Sequence, residues 1–242
     1  MKLANKTVLI TGANRGIGRA LVNEALRRGA KRVYAGTRGA LTIPDERVTP
    51  LTLDVTNASH IQRAAEKLDT LDVLINNAGI ALYDDLSNPE SLEQQLAVNL
   101  FGPFNVTRAF LPLLKRSKGA IVNNVSLAAL AALPVVPGYS ISKAAAFNMT
   151  QSLRALLAAD GVTVHAVIIG PTDTDMTRGF EIPKSSVETT AQGIFDGFEK
   201  GEEDIFPDPA AQSIAEGWRN GAVKAMERQF AGFVQASTHE TA

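Results

Sequence analysis

The chain has 242 residues, of which 45% are hydrophobic and 20% are charged, a composition that excludes a disordered chain. Its 24 basic and 25 acidic residues leave a formal net charge of -1, so no excess of positive charge favours nucleic acid or an anionic membrane as a partner. The absence of cysteine excludes disulfides, thiolate nucleophiles and cysteine-bound zinc, and the three histidines show no metal-ligand spacing. A small or neutral ligand fits this composition better.

The N-terminal segment reaches a strand pattern at Thr7 and lacks the apolar stretch of a secretory signal. The longest charge-free apolar stretch, Leu127 to Pro137, is far shorter than the ~20 residues of a membrane helix. We therefore expect a soluble, cytoplasmic protein without a membrane partner.

Short runs rich in Val and Ile alternate with helical patterns along the chain. Seven such runs predict β-strands at Thr7–Ile10, Arg32–Ala35, Val48–Leu53, Asp72–Ile75, Ala120–Val125, Val162–Ile169 and Asp204–Phe206. Helices are predicted at Gly16–Arg28, Ser59–Leu68, Ser91–Lys115, Tyr139–Ala159, Val187–Lys200 and Ala210–Gln235. Such alternation predicts an α/β fold of the doubly wound Rossmann type. We expect one domain over residues 1–242, with a mostly parallel seven-stranded sheet and helices on both faces.

One predicted connection is unusually short. Only Gly39–Arg47 separate the second strand from the third, whereas a parallel crossover usually needs a dozen or more residues. Pro44 and Gly39 disfavour a helix, so a bare loop or a single turn is expected.

A glycine-rich turn follows the first strand and opens the first helix. It consists of Thr11, Gly12, Ala13, Asn14, Arg15, Gly16, Ile17 and Gly18. Glycine lets a diphosphate approach the backbone, and N–H groups at a helix N-terminus attract anions. The strand-turn-helix context favours a dinucleotide site over a merely structural turn.

Four further motifs follow in order. Asn76-Asn77-Ala78-Gly79 ends the fourth strand, Asn99 lies in the next helix, Ser126 ends the fifth strand, and Tyr139 is followed by Lys143. With the glycine-rich turn, this set resembles the short-chain dehydrogenase/reductase family over nearly the whole chain. That family has TGxxxGxG, NNAG, a helical Asn, a Ser thirteen residues before the Tyr, and YxxxK in the same order.

The residues themselves indicate acid–base chemistry. Tyr139 and Lys143 lie four apart on a predicted helix, so their side chains share one face. A free tyrosine has a pKa of about 10, and a nearby lysine cation is expected to lower that pKa towards neutral pH. Ser126, at the carboxyl end of a buried strand, can donate to a substrate carbonyl. The sequence thus assigns proton transfer to Tyr139, orientation and pKa lowering to Lys143, and carbonyl polarisation to Ser126.

Asn99 lies four residues before Pro103. Because proline has no N–H, the Asn99 carbonyl loses its helical partner, and a kink is expected there. In the resembled family, the backbone oxygen at this Asn holds a water that links the active-site lysine to solvent. A tolerated proline beside an incidental Asn is the other interpretation.

The predicted cofactor is NADP(H), with NAD less favoured. In family members that use NAD, an Asp at the end of the second strand accepts hydrogen bonds from the ribose. Here this strand ends in Thr37 and Arg38 without an acid, and Arg15 and Arg38 can flank a 2′-phosphate while Thr37 adds a hydroxyl.

The resemblance implies further cofactor contacts, and one motif departs from the family. Asp54 and Val55 would lie against the adenine, and Asn77, Ala78 and Gly79 along its ribose and the central sheet. The family's PGxxxT is matched by Gly170 and Thr174, but Ile169 replaces its proline. Thr172 and Thr174 are expected near the nicotinamide carboxamide, and Tyr139 and Lys143 also face the cofactor.

Largely apolar segments are expected to form the substrate pocket. These are Ala81–Tyr83, Leu127–Val136 and Met176–Pro183, the last within a flap at about 175–190. They favour a hydrophobic ketone, aldehyde or alcohol as substrate, although the run from Leu127 to Leu133 can equally be core. An epimerase, dehydratase or dehalogenase on the same scaffold, and a non-catalytic NADP-binding sensor, are the competing interpretations.

The long helices Ser91–Lys115 and Tyr139–Ala159 carry more apolar surface than one sheet face covers. We expect a homodimer or homotetramer in which Phe104, Phe110, Phe147 and Met149 take part in a symmetric helix contact. The competing interpretation places all four side chains in the core.

Overall fold

The structure, a computed structural model, describes residues 1–39, 41 and 43–239, and for 235–239 the backbone alone. Seven strands pair in parallel in the order β3-β2-β1-β4-β5-β6-β7. Their bounds are Thr7–Thr11 (β1), Arg32–Thr37 (β2), Val48–Thr52 (β3), Val73–Asn76 (β4), Ala120–Asn124 (β5), Thr163–Val167 (β6) and Asp204–Ile205 (β7). The predicted doubly wound α/β fold is confirmed.

Helices cover both faces of the sheet. Because strand side chains alternate in direction, Val8 and Ile10 pack with one core cluster while Leu9 packs with the other. The helices are Gly16–Arg27 (α1), Ala58–Glu66 (α2), Pro89–Leu96 (α3), Gly102–Ser117 (α4), Pro137–Leu157 (α5), Val187–Lys200 (α6), Pro209–Arg219 (α7) and Ala222–His239 (α8). In the described part of the chain, no helix is both long enough and apolar enough to cross a bilayer.

Two helices predicted as continuous are interrupted. The pattern Ser91–Lys115 divides into α3, a π-helical turn at Ala97–Phe101 and α4. Pro103 has no N–H for the Asn99 carbonyl, and the N–H of Gly102 donates to the Ala97 carbonyl, which widens the turn. The pattern Ala210–Gln235 divides into α7 and α8 at Asn220, which ends α7 in a non-helical conformation.

The short connection between β2 and β3 contains neither helix nor strand in its described residues. Ala40 and Thr42 lie outside them, so the expectation for Gly39–Arg47 is tested only in part. Leu41 and Ile43 pack against the core cluster on the α1 face, and the N–H of Val48 closes a turn on the Asp45 carbonyl, 2.9 Å away. Two apolar side chains thus cover part of the sheet face that a crossover helix would shield.

The proposed oligomer residues divide between core and surface. Phe110 and Phe147 are buried within the chain, so the expectation that they form a subunit contact is wrong. Phe147 instead packs at 5.6 Å from the ring of Trp218 on α7. Phe104 is exposed and Met149 is half-buried, and for these two side chains a symmetric contact stays a prediction.

A buried histidine makes the stability of the fold depend on pH. His165 lies between the Glu202 carbonyl, 2.7 Å from Nδ1, and the Thr163 hydroxyl, 3.0 Å from Nε2. Burial lowers the pKa of His165 below its ordinary value of 6.5, so the unfolded chain binds the proton more readily. The free energy of unfolding should therefore fall as the pH drops below about 6.5.

Replacing this histidine tests that dependence. We expect His165→Gln to lower stability at pH 7 but to reduce the further loss between about pH 7 and pH 5.5, because no imidazole remains to titrate. Urea denaturation at both pH values measures the difference. Equal losses in the variant and the unmodified protein would contradict this prediction.

Candidate active site

Polar groups at the carboxyl ends of β1, β4 and β5 form one continuous chain of hydrogen bonds. Asn77 Nδ2 donates to the Thr11 carbonyl at 2.9 Å, and Asn124 Nδ2 donates to Asn77 Oδ1 at 2.9 Å. Lys143 Nζ then donates to the Asn124 carbonyl at 2.8 Å. This chain joins the glycine-rich turn to the lysine of the YxxxK motif across the centre of the sheet.

The glycine-rich turn fits closely against the NNAG segment. A Cβ on Gly12 would lie 2.9 Å from Ala78 Cα, and one on Gly18 would lie 2.0 Å from the Gly12 carbonyl oxygen. Gly12 and Gly16 also adopt positive φ angles of 66° and 51°. Among the described residues no side chain caps the start of α1, α4 or α5, whereas side chains cap α2, α3, α6 and α7. The first N–H groups of α1 are thus left for an external anion.

Ser126, Tyr139 and Lys143 come together at this edge of the sheet. Lys143 is 5% exposed, and its Nζ lies 5.7 Å from the centre of the Tyr139 ring. Ser126 lies two residues beyond the end of β5, where its hydroxyl accepts from the Ala128 N–H at 3.1 Å and interacts with the Tyr139 phenol. Tyr139 is only partly exposed, so the three side chains line one recess.

The electrostatics of this recess differ from the expectation. Burial raises the pKa of Tyr139, and its hydrogen bond with Ser126 opposes that rise only in part. Burial also lowers the pKa of Lys143 to about 8. In the chain alone the pKa of Tyr139 therefore moves away from neutral, opposite to the prediction, because burial is the largest cause of the shift. At neutral pH Tyr139 holds its proton.

Asn99 acts through its side chain as a clamp. Its Oδ1 accepts from the Ile80 N–H at 2.9 Å, and its Nδ2 donates to the Ile80 carbonyl and to the Ser142 hydroxyl, each at 2.9 Å. Ser142 in turn donates to the Tyr139 carbonyl at 2.7 Å. Regular α-helical bonding is interrupted at Asn99 as expected, and a water on its carbonyl stays a prediction.

The residues predicted for the adenosine end divide into exposed and buried groups. Arg15, Arg38 and Asn14 are exposed. The charge of Arg38 contributes to a lowered pKa of Asp54, although the hydrogen bonds from Thr56 contribute more. Arg15 donates to Asp175 at 2.8 Å. Thr37 is buried with its hydroxyl bonded to Gly39, and Val55 packs against Gly102. Only the exposed groups can meet a phosphate directly.

The segment after β6 is shaped by an aspartate that the motif did not reveal. Asp208 Oδ2 accepts from the Gly170 N–H at 2.8 Å, and a Cβ on Gly170 would lie 2.3 Å from Asp208 Oδ1. Thr172 is buried against Thr190, and their hydroxyl oxygens lie 3.2 Å apart. Thr174 instead reaches the glycine-rich turn, where a Cβ on Gly16 would lie 3.4 Å from Thr174 Cγ2. In the sequence, only the pair Asp208-Pro209, which is typical of a helix start, points to this aspartate.

A cleft opens beside these residues. Gly16, Thr174, Arg178 and Lys184 are among the residues that line a cavity of about 460 Å³. The flap carries a short 3₁₀ turn at Asp175–Thr177, and its base is held by a bond from the Asp173 N–H to the Ser185 carbonyl, 2.9 Å long. A larger groove of about 720 Å³ between α2 and α4 contains none of the motif residues.

The predicted pocket walls are only partly exposed. Leu127, Ala129 and Leu130 pack against a core cluster, so the first half of that run is core. Five large apolar side chains remain exposed along the three segments: Tyr83, Leu133, Val135, Met176 and Ile182. Tyr83 stacks on Phe180 of the flap with ring centres 5.7 Å apart.

The fold and this site define a nucleotide-binding α/β protein with a Ser-Tyr-Lys recess. A family model described as short chain dehydrogenase matches residues 6–184, and the chain belongs to this family. A solved short chain dehydrogenase from Burkholderia cenocepacia, in complex with NADP, is 37% identical, with a TM-score of 0.87 over 95% of this chain and 98% of that one.

Curated relatives agree with this assignment. A 3-oxoacyl-(acyl-carrier-protein) reductase of Thermotoga maritima is 35% identical over 80% of this chain and 84% of that protein. A short chain dehydrogenase of Monascus ruber is 34% identical over 73% of this chain. The chain spans 66% of the Monascus protein and 44% of a short chain dehydrogenase of Aspergillus terreus.

The close approach of Gly18 to Gly12 gives a stability prediction. Because an added Cβ would meet the Gly12 carbonyl, Gly18→Ala should lower the free energy of unfolding by about 1–3 kcal/mol. Gly232→Ala is the control, since that glycine lies in α8 with open space around its Cβ position, and it should stabilise by up to ~1 kcal/mol. Similar values for both variants in urea denaturation would show that the turn tolerates a side chain.

Proposed function

We propose that this chain is an NADP(H)-dependent oxidoreductase that interconverts a hydrophobic ketone or aldehyde and its alcohol. The observation that carries the proposal is the recess in which Ser126, Tyr139 and Lys143 meet beside the glycine-rich turn. Burial raises the pKa of Tyr139, so its phenol holds a proton at neutral pH, and the Ser126 hydroxyl interacts with that phenol. A proton donor and a polar hydroxyl at one point suit the reduction of a carbonyl.

In the reductive direction, we assign each step of the reaction to one group. Bound NADPH supplies the hydride that the carbonyl carbon accepts. Ser126 polarises the carbonyl oxygen, and the Tyr139 phenol gives that oxygen its proton, so that an alcohol is formed. Lys143, whose pKa of about 8 leaves it mostly protonated at neutral pH, stabilises the resulting phenolate.

The chain's own residues support NADP(H) over NAD. The close glycine cradle and the uncapped start of α1 suit a diphosphate. Arg38 is exposed at the end of β2, where an acid would bind an unphosphorylated ribose, and Arg15 is exposed on the glycine-rich turn. The related dehydrogenase from Burkholderia cenocepacia is described in complex with NADP.

The segments predicted as pocket walls support an apolar substrate. Leu133, Met176 and Ile182 are exposed apolar side chains in two of these three segments. Exposed apolar groups favour a ligand that covers them. A dehalogenase would not need a nucleotide, and a cofactor sensor would not need Ser126, Tyr139 and Lys143 together.

Loss of the phenolic proton tests the reaction. Tyr139→Phe keeps the ring, so NADPH should still bind, but turnover should fall by about 10²-fold or more with a ketone or aldehyde that the unmodified protein reduces. NADPH oxidation against a panel of carbonyl compounds, followed by the loss of NADPH absorbance, measures the rate. A variant that keeps more than about a tenth of the rate would exclude Tyr139 as the proton donor.

Cofactor preference is tested at the end of β2. Arg38→Asp should raise the NADPH dissociation constant about tenfold or more, a loss of about 1.4 kcal/mol, while NADH binding holds or improves. Arg32→Asp makes the same charge change at the opposite end of the same strand and should leave both constants unchanged. Equal affinities of the unmodified protein for NADPH and NADH would refute the preference.

A further inference from the structure

Two polar side chains, Asp84 and Gln95, connect the loop after β4 to the start of α5, the helix that carries Tyr139. Gln95 on α3 accepts from the Leu82 N–H through Oε1 at 3.1 Å and donates through Nε2 to Asp84 Oδ2 at 3.0 Å. Asp84 Oδ1 accepts from the N–H groups of Gly138 and Leu86 at 3.3 Å and 3.2 Å. We call this arrangement the Asp84–Gln95 bridge.

The bridge is closely packed against the helix start. Gln95 is 0% exposed, and Asp84 is half-buried. A Cβ on Gly138 would lie 2.6 Å from Gln95 Nε2 and 2.9 Å from Asp84 Oδ2. Gly138 directly precedes Tyr139 in the first turn of α5, and the residue that precedes this helix, Val136, provides no side-chain cap. Asp84 therefore supplies, from another element, the negative charge and the acceptor that a helix start requires.

The bridge also holds one of the segments predicted to form the substrate pocket. Tyr83 lies between Leu82 and Asp84, and its ring stacks on Phe180 of the flap. Asn99, one turn beyond Gln95, clamps Ile80 in the same loop. Two amide side chains thus fix alternate residues of the loop, and Asp84 connects the loop to the residue before Tyr139.

We propose that Asp84 and Gln95 are positioning residues, which set the substrate wall at Tyr83 relative to the Tyr139 phenol. The inference rests on the proposed function, since it takes Tyr139 as the proton donor. Neither residue belongs to the motifs that define the family. Without the bridge, a carbonyl substrate is held less well against Tyr139, whereas the cofactor side of the cleft keeps its own contacts.

Each hydrogen bond of the bridge has a defined donor and acceptor. Exchanging the carboxylate and the amide between positions 84 and 95 therefore tests the proposal. In Asp84→Asn, the new amide N–H faces the Gln95 amide N–H, so two donors oppose each other. In Gln95→Glu, a carboxylate oxygen faces the Asp84 carboxylate in a largely desolvated position. In the double variant Asp84→Asn with Gln95→Glu, the carboxylate introduced on α3 accepts from the Leu82 N–H and from the amide introduced in the loop. The oxygen of that amide still accepts from the Gly138 N–H. Every donor again meets an acceptor, and the net charge equals that of the unmodified protein.

The experiment compares these three variants and two controls in steady-state reduction of a carbonyl substrate by NADPH. Each single variant should raise KM about tenfold or lower kcat/KM by that factor, and the double variant should return to within about twofold of the unmodified protein. The NADPH dissociation constant should stay unchanged throughout. Gln95→Met, which fills the same volume without hydrogen bonds, should behave as the single variants do. Asp85→Asn alters the neighbouring, exposed carboxylate and should have no effect.

Amide hydrogen exchange at Leu82 and Gly138 provides a readout that does not depend on turnover. Protection should fall in the single variants and return in the double variant. If the unmodified protein reduces no carbonyl, the proposed function fails, while exchange still tests the bridge. The positioning role is overturned if the double variant is no better than the single variants, or if Gln95→Met loses protection at Leu82 but keeps KM and kcat. Gln95→Met adds no charge, so it decides the question even if the two charge-altering single variants do not fold.

Discussion

The site depends on how closely the turn after β1 approaches the loop after β4. Gly12 and Gly18 leave no room for a Cβ, and this lack of room brings Asn77 within reach of the Thr11 carbonyl. Asn124 and Lys143 continue the same chain of hydrogen bonds to β5 and α5. The amide nitrogens of Asn77 and Asn124 each donate to an oxygen on the neighbouring segment, so a shift in one strand would leave these polar groups unpaired. The spacing between the cofactor turn and Tyr139 is thereby fixed by backbone contact.

Helix α5, which carries Tyr139 and Lys143, is held at its first turns from three sides. Lys143 ties it to β5, Ser142 ties it to Asn99 in the π-helical turn, and Gly138 ties it to Asp84. These three attachments lie within six residues of one another and surround Tyr139. A phenol on a helix held in this way has little freedom to move, which favours a defined geometry for proton transfer. The cost is a set of buried polar groups, each of which needs its partner.

Burial is the largest cause of the pKa shifts of both Tyr139 and Lys143. Burial raises the pKa of Tyr139 and lowers that of Lys143. The neutral phenol suits a proton donor, and the lysine cation still favours a phenolate once the proton has left.

The sequence by itself determined the order of strands and helices, the cofactor turn and the positions of Ser126, Tyr139 and Lys143, because periodicity and motif spacing are local properties of the chain. Tertiary structure decided the rest. Phe110 and Phe147 follow the same helical pattern as exposed residues, and only packing shows that they are core. Asp208 and Asp84 bind the N–H groups of Gly170 and Gly138, which lie 38 and 54 residues away along the chain, and no local pattern encodes these contacts. Gln95 binds a loop 11 to 13 residues before it, and its role also follows only from the folded contacts. The sign of the Tyr139 pKa shift likewise depends on burial, which is a property of the folded chain alone.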